Sequence, residues 1–298
     1  MREPKGIFSK PILTVLAGLW LLGCAAAGAQ PAAWPTVVAA ENVYGEVAAQ
    51  IGGPGVRVTS ILSSPDQDPH LFEASPSTAR ALSAAGIVIY NGVGYDPWMA
   101  KLVRGTRAAD RRVLVAGELM GRRAGNPHLW YDPAVMPVVA TALAEALAAA
   151  DPGHAADYSG RLAVFKASLQ PLGDKIAAMR ARFLGAPVTA TEPVFGLMAD
   201  ALGLTVRHER FQLAVMNNTE PRASDIAAFE ADLKARRVRV LLYNSQATGP
   251  TAQRMVRLAK QAGVAVVGVT ETQPAGTTYQ SWMLAQLQAL ETALSQPQ

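Results

Sequence analysis

Residues 36–62 read TVVAAENVYGEVAAQIGGPGVRVTSIL. The apolar run at 36–40 predicts a buried strand, and Asn42 is placed to cap a helix that follows it. The glycine and proline residues at 52–55 break this helix, and residues 56–62 predict the next strand. A strand, a helix and a second strand in this order are typical of a βαβ unit in a parallel sheet.

The same alternation of strands and helices occupies both halves of the chain. It predicts one lobe at residues 36–150 and a second lobe at residues 186–298, and a length of 298 residues suits two lobes that each bury a core. The further strands are predicted at 87–90 and 112–116 in the first lobe, and at 187–191, 238–243 and 264–269 in the second.

A long helix is predicted between the two lobes, at residues 151–185. Its apolar residues recur every three or four positions. Pro171 lies inside it and removes a backbone donor, so a broken helix is the alternative. The predicted fold is therefore α/β, with two lobes built on parallel sheets and joined by one long bridging helix. Such lobes leave a crevice at the carboxyl ends of their strands, where ligands bind.

Composition excludes several classes of protein. The chain is 50% hydrophobic and 17% charged with a single cysteine, which excludes a disordered chain and a disulfide-stapled scaffold. A net charge of +4 could suggest a nucleic-acid partner. Lysine and arginine are spread along the chain without a long basic run, and so no nucleic-acid partner is predicted.

The N-terminus predicts export. Basic residues precede a short apolar run, as in a signal peptide, which we assign to residues 1–23. Without it the chain has 24 basic and 22 acidic residues, so most of the excess charge belongs to the leader. Residues 21–24, LLGC, resemble a bacterial lipobox and predict lipidation of Cys24, with a tether at 24–35. Cleavage after Ala29 by an ordinary signal peptidase is the alternative, and in either case the mature protein has no disulfide.

Two histidines stand in similar surroundings, DPHLFE at 68–73 and NPHLWYDP at 126–133. Proline precedes both His70 and His128, and each histidine follows a predicted strand of the first lobe. A proline fixes its own φ and favours an extended residue before it, so each imidazole stands on a stiff segment. A lone histidine is more often a surface or core residue than a metal ligand, but the recurrence favours a metal site.

These motifs resemble the D-P-H and N-P-H-x-W-x-D-P motifs of metal-binding solute-binding proteins of ABC importers, the zinc/manganese family (cluster A-I, TroA-like). The segment 91–98 resembles the N-G-x-G-x-x-x-W segment of the family, and residues 279–283 resemble the opening of its terminal helix. The resemblance covers essentially the whole mature chain. It implies two α/β lobes bridged by one long helix, in agreement with the alternation described above.

The resemblance also implies two ligands from the second lobe. The third ligand of the family stands three residues before a phenylalanine at the start of a helix, as Glu192 stands before Phe195. Capping of that helix is the alternative role for Glu192. The fourth ligand follows the last strand, where this chain has Glu271 and the family often has aspartate. If Glu271 faces solvent, a water or Glu220 is the substitute ligand.

The implied metal site comprises two imidazoles from the first lobe, His70 and His128, and two carboxylates from the second, Glu192 and Glu271. A cation between them would clamp the lobes together. Oxygen-rich ligation favours harder ions such as Mn²⁺ or Fe²⁺, whereas Zn²⁺ has the higher intrinsic affinity for almost any such site. The predicted cargo is therefore manganese or zinc. The other two histidines, His154 and His208, are expected at the surface.

The implied function is capture of a divalent metal outside the inner membrane and delivery to an ABC permease with its ATPase. The protein would be a monomeric binding protein and not an enzyme, and its only membrane contact would be the lipid anchor. A metal-dependent hydrolase is one alternative, although no general acid or base stands in a matching motif. An exported binder of an organic metal chelate is another alternative.

Overall fold

Two four-stranded parallel sheets organise the computed structural model, which describes residues 35–64, 72–106, 110–246 and 249–297, with Met1 and Ala108. Residues 2–34, which include Cys24 and most of the predicted signal peptide, lie outside this description, as does His70. The first sheet contains β1 (Thr36–Glu41), β2 (Arg57–Leu62), β3 (Ile87–Tyr90) and β4 (Arg112–Val115). The second contains β5 (Pro187–Ala190), β6 (Thr205–Arg207), β7 (Val240–Asn244) and β8 (Ala265–Val269).

The two sheets share one topology. Their strand orders are β2-β1-β3-β4 and β6-β5-β7-β8, and every neighbouring pair is parallel. In the first sheet Val37 of β1 pairs with Val58 on one side and Ile87 on the other. Val188 of β5 is fully buried at the corresponding place in the second sheet. Apolar central strands of this kind are covered on both faces by helices, and the predicted α/β fold is confirmed.

Twelve α-helices flank the sheets in the described part of the chain. Those of the first lobe are α1 (Asn42–Gly52), α2 (Pro76–Ser83), α3 (Pro97–Gly105), α4 (Ala116–Leu119) and α5 (Val135–Ala150). Those of the connection are α6 (Ala155–Ser168) and α7 (Gln170–Phe183). Those of the second lobe are α8 (Gly196–Ala201), α9 (Glu209–Met216), α10 (Ala223–Lys234), α11 (Pro250–Ala262) and α12 (Tyr279–Leu294). No helix among the described residues is both long and apolar enough to cross a membrane.

The predicted bridging helix is interrupted at Leu169, between α6 and α7. Pro171 stands in the first turn of α7 and has no N–H to donate to the preceding turn. The amide of Leu169 closes the end of α6 by donating to the carbonyl oxygen of Lys166 at 3.3 Å. The structure therefore shows the broken form of this helix.

One hydrophobic core runs through both lobes. Its aromatic centre joins Trp130 and Tyr131 of the first lobe to Phe195 and Trp282 of the second. The ring of Tyr131 lies 5.2 Å from that of Phe195 and 5.8 Å from that of Trp282, in edge-to-face contacts. Because this shared core lies beside the inter-lobe cleft, it fixes how the ends of the two sheets face each other.

Candidate metal site

His128 lies fully buried after Pro127, in the connection between α4 and α5. The side-chain oxygen of Asn126 accepts two hydrogen bonds from His128, one from its backbone N–H at 3.0 Å and one from its Nδ1 at 2.8 Å. The Nδ2 of Asn126 donates to the carbonyl oxygen of Pro193, which identifies the other end of this amide as the oxygen. Asn126 therefore holds a proton on Nδ1 of His128 and leaves Nε2 as the nitrogen that faces Glu271.

Glu271 follows β8 and is buried, with 2% of its surface exposed. Its Oε2 lies 3.3 Å from Nε2 of His128, across the cleft between the lobes. The hydroxyl of Tyr95, from the first lobe, donates to the same oxygen at 2.9 Å. Burial, and next the charge of Glu271, raise the pKa of Tyr95 well above its ordinary value, so this hydroxyl stays protonated and keeps its donor role.

Glu192 follows β5 and precedes a 3₁₀ turn that begins at Pro193. Its backbone is extended, and its side chain makes no capping hydrogen bond with that turn. The carboxylate instead accepts a hydrogen bond from Nδ2 of Asn244 at 2.8 Å. The alternative role of Glu192 as a helix cap therefore has no support in the structure.

Asn244 and Gln246 organise this end of the second lobe. Nδ2 of Asn244 donates to Oε1 of Glu271 at 2.6 Å as well as to Glu192, so one amide connects the two carboxylates. Oε1 of Gln246 accepts from the backbone N–H groups of Glu271, at 2.6 Å, and Thr272, at 2.9 Å. These contacts hold the loop that follows β8 against the end of β7.

The arrangement suits a cation. Burying two carboxylates beside one amide is costly unless positive charge compensates them. Two donor atoms that bind one metal ion tetrahedrally at 2.0–2.2 Å are about 3.4 Å apart. Nε2 of His128 and Oε2 of Glu271 are 3.3 Å apart, close to this spacing. These two side chains, from different lobes, are therefore spaced as ligands of one ion.

Three other residues considered in the sequence analysis, Glu220, His154 and His208, are described away from this site. His70 lies outside the described residues, and within those residues no three histidine, cysteine or acidic side chains are grouped closely enough to hold a metal. Glu220 and His154 are exposed, and Glu220 stands in the loop after α9. His208 is half-buried rather than at the surface, because its ring stacks on Phe229 at 4.8 Å and its Nε2 lies 3.1 Å from Asp232.

The sequence analysis did not single out Tyr95, Asn126, Asn244 or Gln246. Tyr95, Asn244 and Gln246 act across long separations along the chain, which no local pattern reports, whereas Asn126 stands two residues before His128, inside the motif at 126–133. One signal was nevertheless present, because Asn244 ends the apolar strand VLLYN at its carboxyl end, where open α/β sheets bind ligands.

Known proteins resemble this chain in sequence. The model of the family "ZnuA: Zinc-uptake complex component A periplasmic" matches residues 37–293. The zinc-binding protein TroA of Treponema pallidum is 25% identical over 222 residues, 71% of this chain and 70% of that protein. The manganese ABC transporter substrate-binding lipoprotein PsaA of Streptococcus pneumoniae is 27% identical over 150 residues, 46% of this chain and 48% of that lipoprotein.

The fold is also found among solved structures. That of the periplasmic zinc-binding protein TroA from Treponema pallidum superposes with a TM-score of 0.75 at 20% identity, covering 88% of this chain and 99% of that one. At this identity the likeness concerns the fold, whereas the family model spans most of the sequence. The chain belongs to the ZnuA family of periplasmic metal-uptake components.

Proposed function

We propose that this protein captures one divalent metal ion, manganese or zinc, outside the cytoplasmic membrane and delivers it to an ABC-type permease driven by a separate ATPase. The ligands in this proposal are His70, His128, Glu192 and Glu271. The family comprises binding components of uptake systems and not enzymes, in agreement with the predicted role. A zinc-binding and a manganese-binding relative both support a divalent metal as cargo.

The observation that carries the proposal is the buried approach of His128 and Glu271. Nε2 of one and Oε2 of the other come from different lobes and lie 3.3 Å apart. Each is oriented by its own hydrogen bond, His128 by Asn126 and Glu271 by Tyr95. Such support is typical of ligands that are positioned before the metal arrives.

Metal analysis and competitive titration test the proposal. Mature protein should contain about one equivalent of metal as isolated and should gain thermal stability with Zn²⁺ or Mn²⁺. His128→Ala should abolish tight binding, and His70→Ala should do the same. The matched control is His154→Ala, which removes an exposed imidazole from the start of α6. Wild-type protein without stoichiometric metal, or a His128→Ala variant that binds normally, would contradict the proposal.

Anchoring and assembly state belong to the same proposal. We infer that the mature protein is a monomer held at the membrane by a lipid on Cys24, as the LLGC sequence at 21–24 suggests. Mass spectrometry of the mature N-terminus should find a diacylated residue 24, and Cys24→Ala should release the protein from the membrane fraction. Processing after Ala29 without any lipid would contradict the anchor and leave the metal site unaffected.

A further inference from the structure

The first helix of the first lobe carries a polar face that meets the second lobe. Asn42, Glu46 and Gln50 follow one another at intervals of four residues along α1, are half-buried, and lie on one side of the helix. The neighbouring side carries fully buried residues such as Val43 and Val47, which anchor α1 in the shared core. The polar face is therefore presented by a rigid element.

Glu46 and Gln50 bind the start of α12. The backbone N–H of Tyr279 donates to Oε2 of Glu46 at 3.1 Å. The side chains of Gln50 and Gln280 exchange a pair of hydrogen bonds, at 3.0 and 3.1 Å. These contacts hold α1 against the second lobe, and neither of them involves the segment that carries Glu271.

Asn42 binds the segment that carries Glu271. The sequence predicts that Asn42 caps α1, but the cap position is Glu41, and the Asn42 side chain contacts the second lobe instead. Its Nδ2 donates to the carbonyl oxygen of Gln273 at 2.7 Å, and its Oδ1 accepts from the backbone N–H of Gln273 at 3.1 Å. Since a backbone N–H only donates and a carbonyl oxygen only accepts, these two bonds fix the orientation of the Asn42 amide.

Gln273 is suited to this contact. Proline follows it in the sequence, which favours an extended backbone at residue 273. An extended residue presents its N–H and C=O to the same side, where one carboxamide can pair with both. The N–H belongs to the peptide before Gln273 and the C=O to the peptide after it, so Asn42 restrains both peptide planes. Gln273 is 3% exposed, and these bonds are therefore sheltered from water.

The first lobe thus holds the chain on both sides of Glu271. Before this residue, the hydroxyl of Tyr131 approaches the carbonyl oxygen of Thr270 to 2.7 Å. After it, Asn42 holds the backbone of Gln273. Hydrogen bonds from within the second lobe cannot set the position of Glu271 relative to the first lobe, because they move together with the segment.

The spacing of ligands from different lobes depends on this contact. Nε2 of His128 and Oε2 of Glu271 lie 3.3 Å apart across the cleft, and binding groups must be held within about 0.5 Å of their working positions. We propose that Asn42 is a positioning residue of the metal site, which sets the position of Glu271 relative to His128 through the backbone of Gln273. This inference rests on the proposed function of metal capture.

Substitutions on one face of α1 test this role. Asn42→Ala should lower the affinity for Zn²⁺ and Mn²⁺ about tenfold, as is typical when a residue that supports a metal ligand is removed. Asn42→Leu should do the same, because leucine keeps the approximate shape of asparagine without its hydrogen-bonding groups. The matched control is Gln50→Ala, which also removes hydrogen bonds between α1 and the second lobe. It should keep the wild-type affinity in competitive titration with either metal.

Hydrogen exchange of the metal-free protein reports how firmly the segment is held. Residues 270–278 should exchange faster in both Asn42 variants than in wild type or Gln50→Ala, since the N–H of Gln273 loses its acceptor. Residues 187–190, in β5, should exchange equally in all of these proteins.

Three results would overturn the inference. They are wild-type affinity or unchanged exchange at 270–278 in the Asn42 variants, an equal loss of affinity in Gln50→Ala, and equally faster exchange at 187–190, which would show a general loss of stability. Wild-type protein that binds neither Zn²⁺ nor Mn²⁺ would instead overturn the proposed function, whereas the exchange at 270–278 would still report whether Asn42 holds this segment.

Discussion

Asn126 determines which nitrogen of His128 faces the cleft. Its Oδ1 accepts from the backbone N–H and the Nδ1 of His128, while its Nδ2 donates to the carbonyl oxygen of Pro193 in the second lobe. The imidazole is thereby fixed in tautomer and in orientation, and the same amide connects one lobe to the other. A metal ligand held in this way loses little conformational freedom when the ion binds.

Substitution of Asn126 by alanine should therefore weaken metal binding about 10-fold to 100-fold, because Nδ1 loses its acceptor and the ring is free to rotate. Competitive titration with a chelating dye measures the change. Asn217→Ala is the control, since it removes an exposed asparagine just after α9, whose Nδ2 donates to the carbonyl oxygen of Leu213. An Asn126→Ala variant with wild-type affinity would show that Asn126 does not position the imidazole.

Glu41 and Asp96 form a second pair of buried acids, located at the end of β1 and just before α3. The Glu41 side chain is buried, and its neighbour is the carboxyl of Asp96. Asp96 accepts the backbone N–H groups of Asn91 and Gly92, at 2.6 and 2.8 Å. Burial, and next the charge of Asp96, raise the pKa of Glu41 well above its ordinary value. We infer that Glu41 keeps its proton and donates it to Asp96.

The retained proton makes stability depend on pH. Above the ordinary glutamate pKa the unfolded chain has lost this proton while the folded protein still holds it, so the free energy of unfolding should fall as the pH rises. Burial also raises the pKa of Asp96, to about 6, and acts in the same direction. One retained proton contributes a slope of about 1.4 kcal/mol per pH unit.

Glu41→Gln should remove the contribution of Glu41 to this slope, because glutamine keeps an N–H donor toward Asp96 but does not titrate. Urea unfolding of the metal-free protein at several pH values between about 5 and 8 measures the slope of the free energy of unfolding against pH. Over this range the glutamate of the unfolded chain is ionised. The variant should gain stability relative to the wild type as the pH rises. Parallel pH profiles for the two proteins would mean that Glu41 is ionised in the folded state.

At the scale of elements, the start of α8 lies close against the segment that carries His128. A Cβ atom added to Gly196, the first residue of α8, would stand 2.7 Å from Nδ2 of Asn126. That amide cannot retreat freely, because it is hydrogen-bonded at both ends. Glycine at this position therefore allows a helix of the second lobe to approach a ligand-bearing loop of the first.

Gly196→Ala should displace Asn126 and lower metal affinity about tenfold. Losses of this size are typical when a residue that hydrogen-bonds a metal ligand is disturbed. The melting temperature of the metal-free protein should change little, because alanine is favoured over glycine in a helix. Gly173→Ala in α7 is the matched control, since an added Cβ there meets no atom within 4 Å. Equal metal affinity in the two variants would contradict the proposed contact between α8 and the site.

The elements that could be predicted are those with a clear apolar pattern, either a continuous run or a helical period. Strands such as Ile87–Tyr90 have the predicted bounds, because a buried parallel strand is an unbroken apolar run. The sequence analysis did not predict β6 (Thr205–Arg207) or α9 (Glu209–Met216). A three-residue strand and a short helix that begins in a charged stretch carry little periodicity.

The supporting residues of the metal site were missed for another reason. The partners of Tyr95, Asn244 and Gln246 lie far along the chain, as the 176 positions between Tyr95 and Glu271 illustrate.

At the scale of the whole molecule, the lobes are joined by buried contacts beside the cleft. The single hydroxyl proton of Tyr131 in the first lobe is shared between the carbonyl oxygen of Thr270, at 2.7 Å, and Oε1 of Gln286, at 2.8 Å. The hydroxyl of Tyr279 donates in return to the carbonyl oxygen of Trp130 at 3.0 Å. A wide hinge motion would break this shared core.

We therefore expect small-angle scattering curves of metal-free and metal-loaded protein to superimpose. A marked compaction on metal loading would contradict this expectation.

Tyr131→Phe should show how the hydrogen bonds of Tyr131 affect stability and metal affinity. The substitution keeps the aromatic packing and removes both hydrogen bonds. It leaves buried acceptors on Thr270 and Gln286 without their donor, which should cost about 1–3 kcal/mol of stability. Since Thr270 precedes Glu271, metal affinity should fall as well. Tyr158→Phe also loses a tyrosine hydrogen bond, to Asp151 at 2.9 Å, at the start of the inter-lobe connection. Tyr158→Phe should lose stability in urea unfolding and keep its metal affinity. An equal loss of affinity in both variants would mean that affinity follows general stability and does not depend on the Tyr131–Thr270 contact.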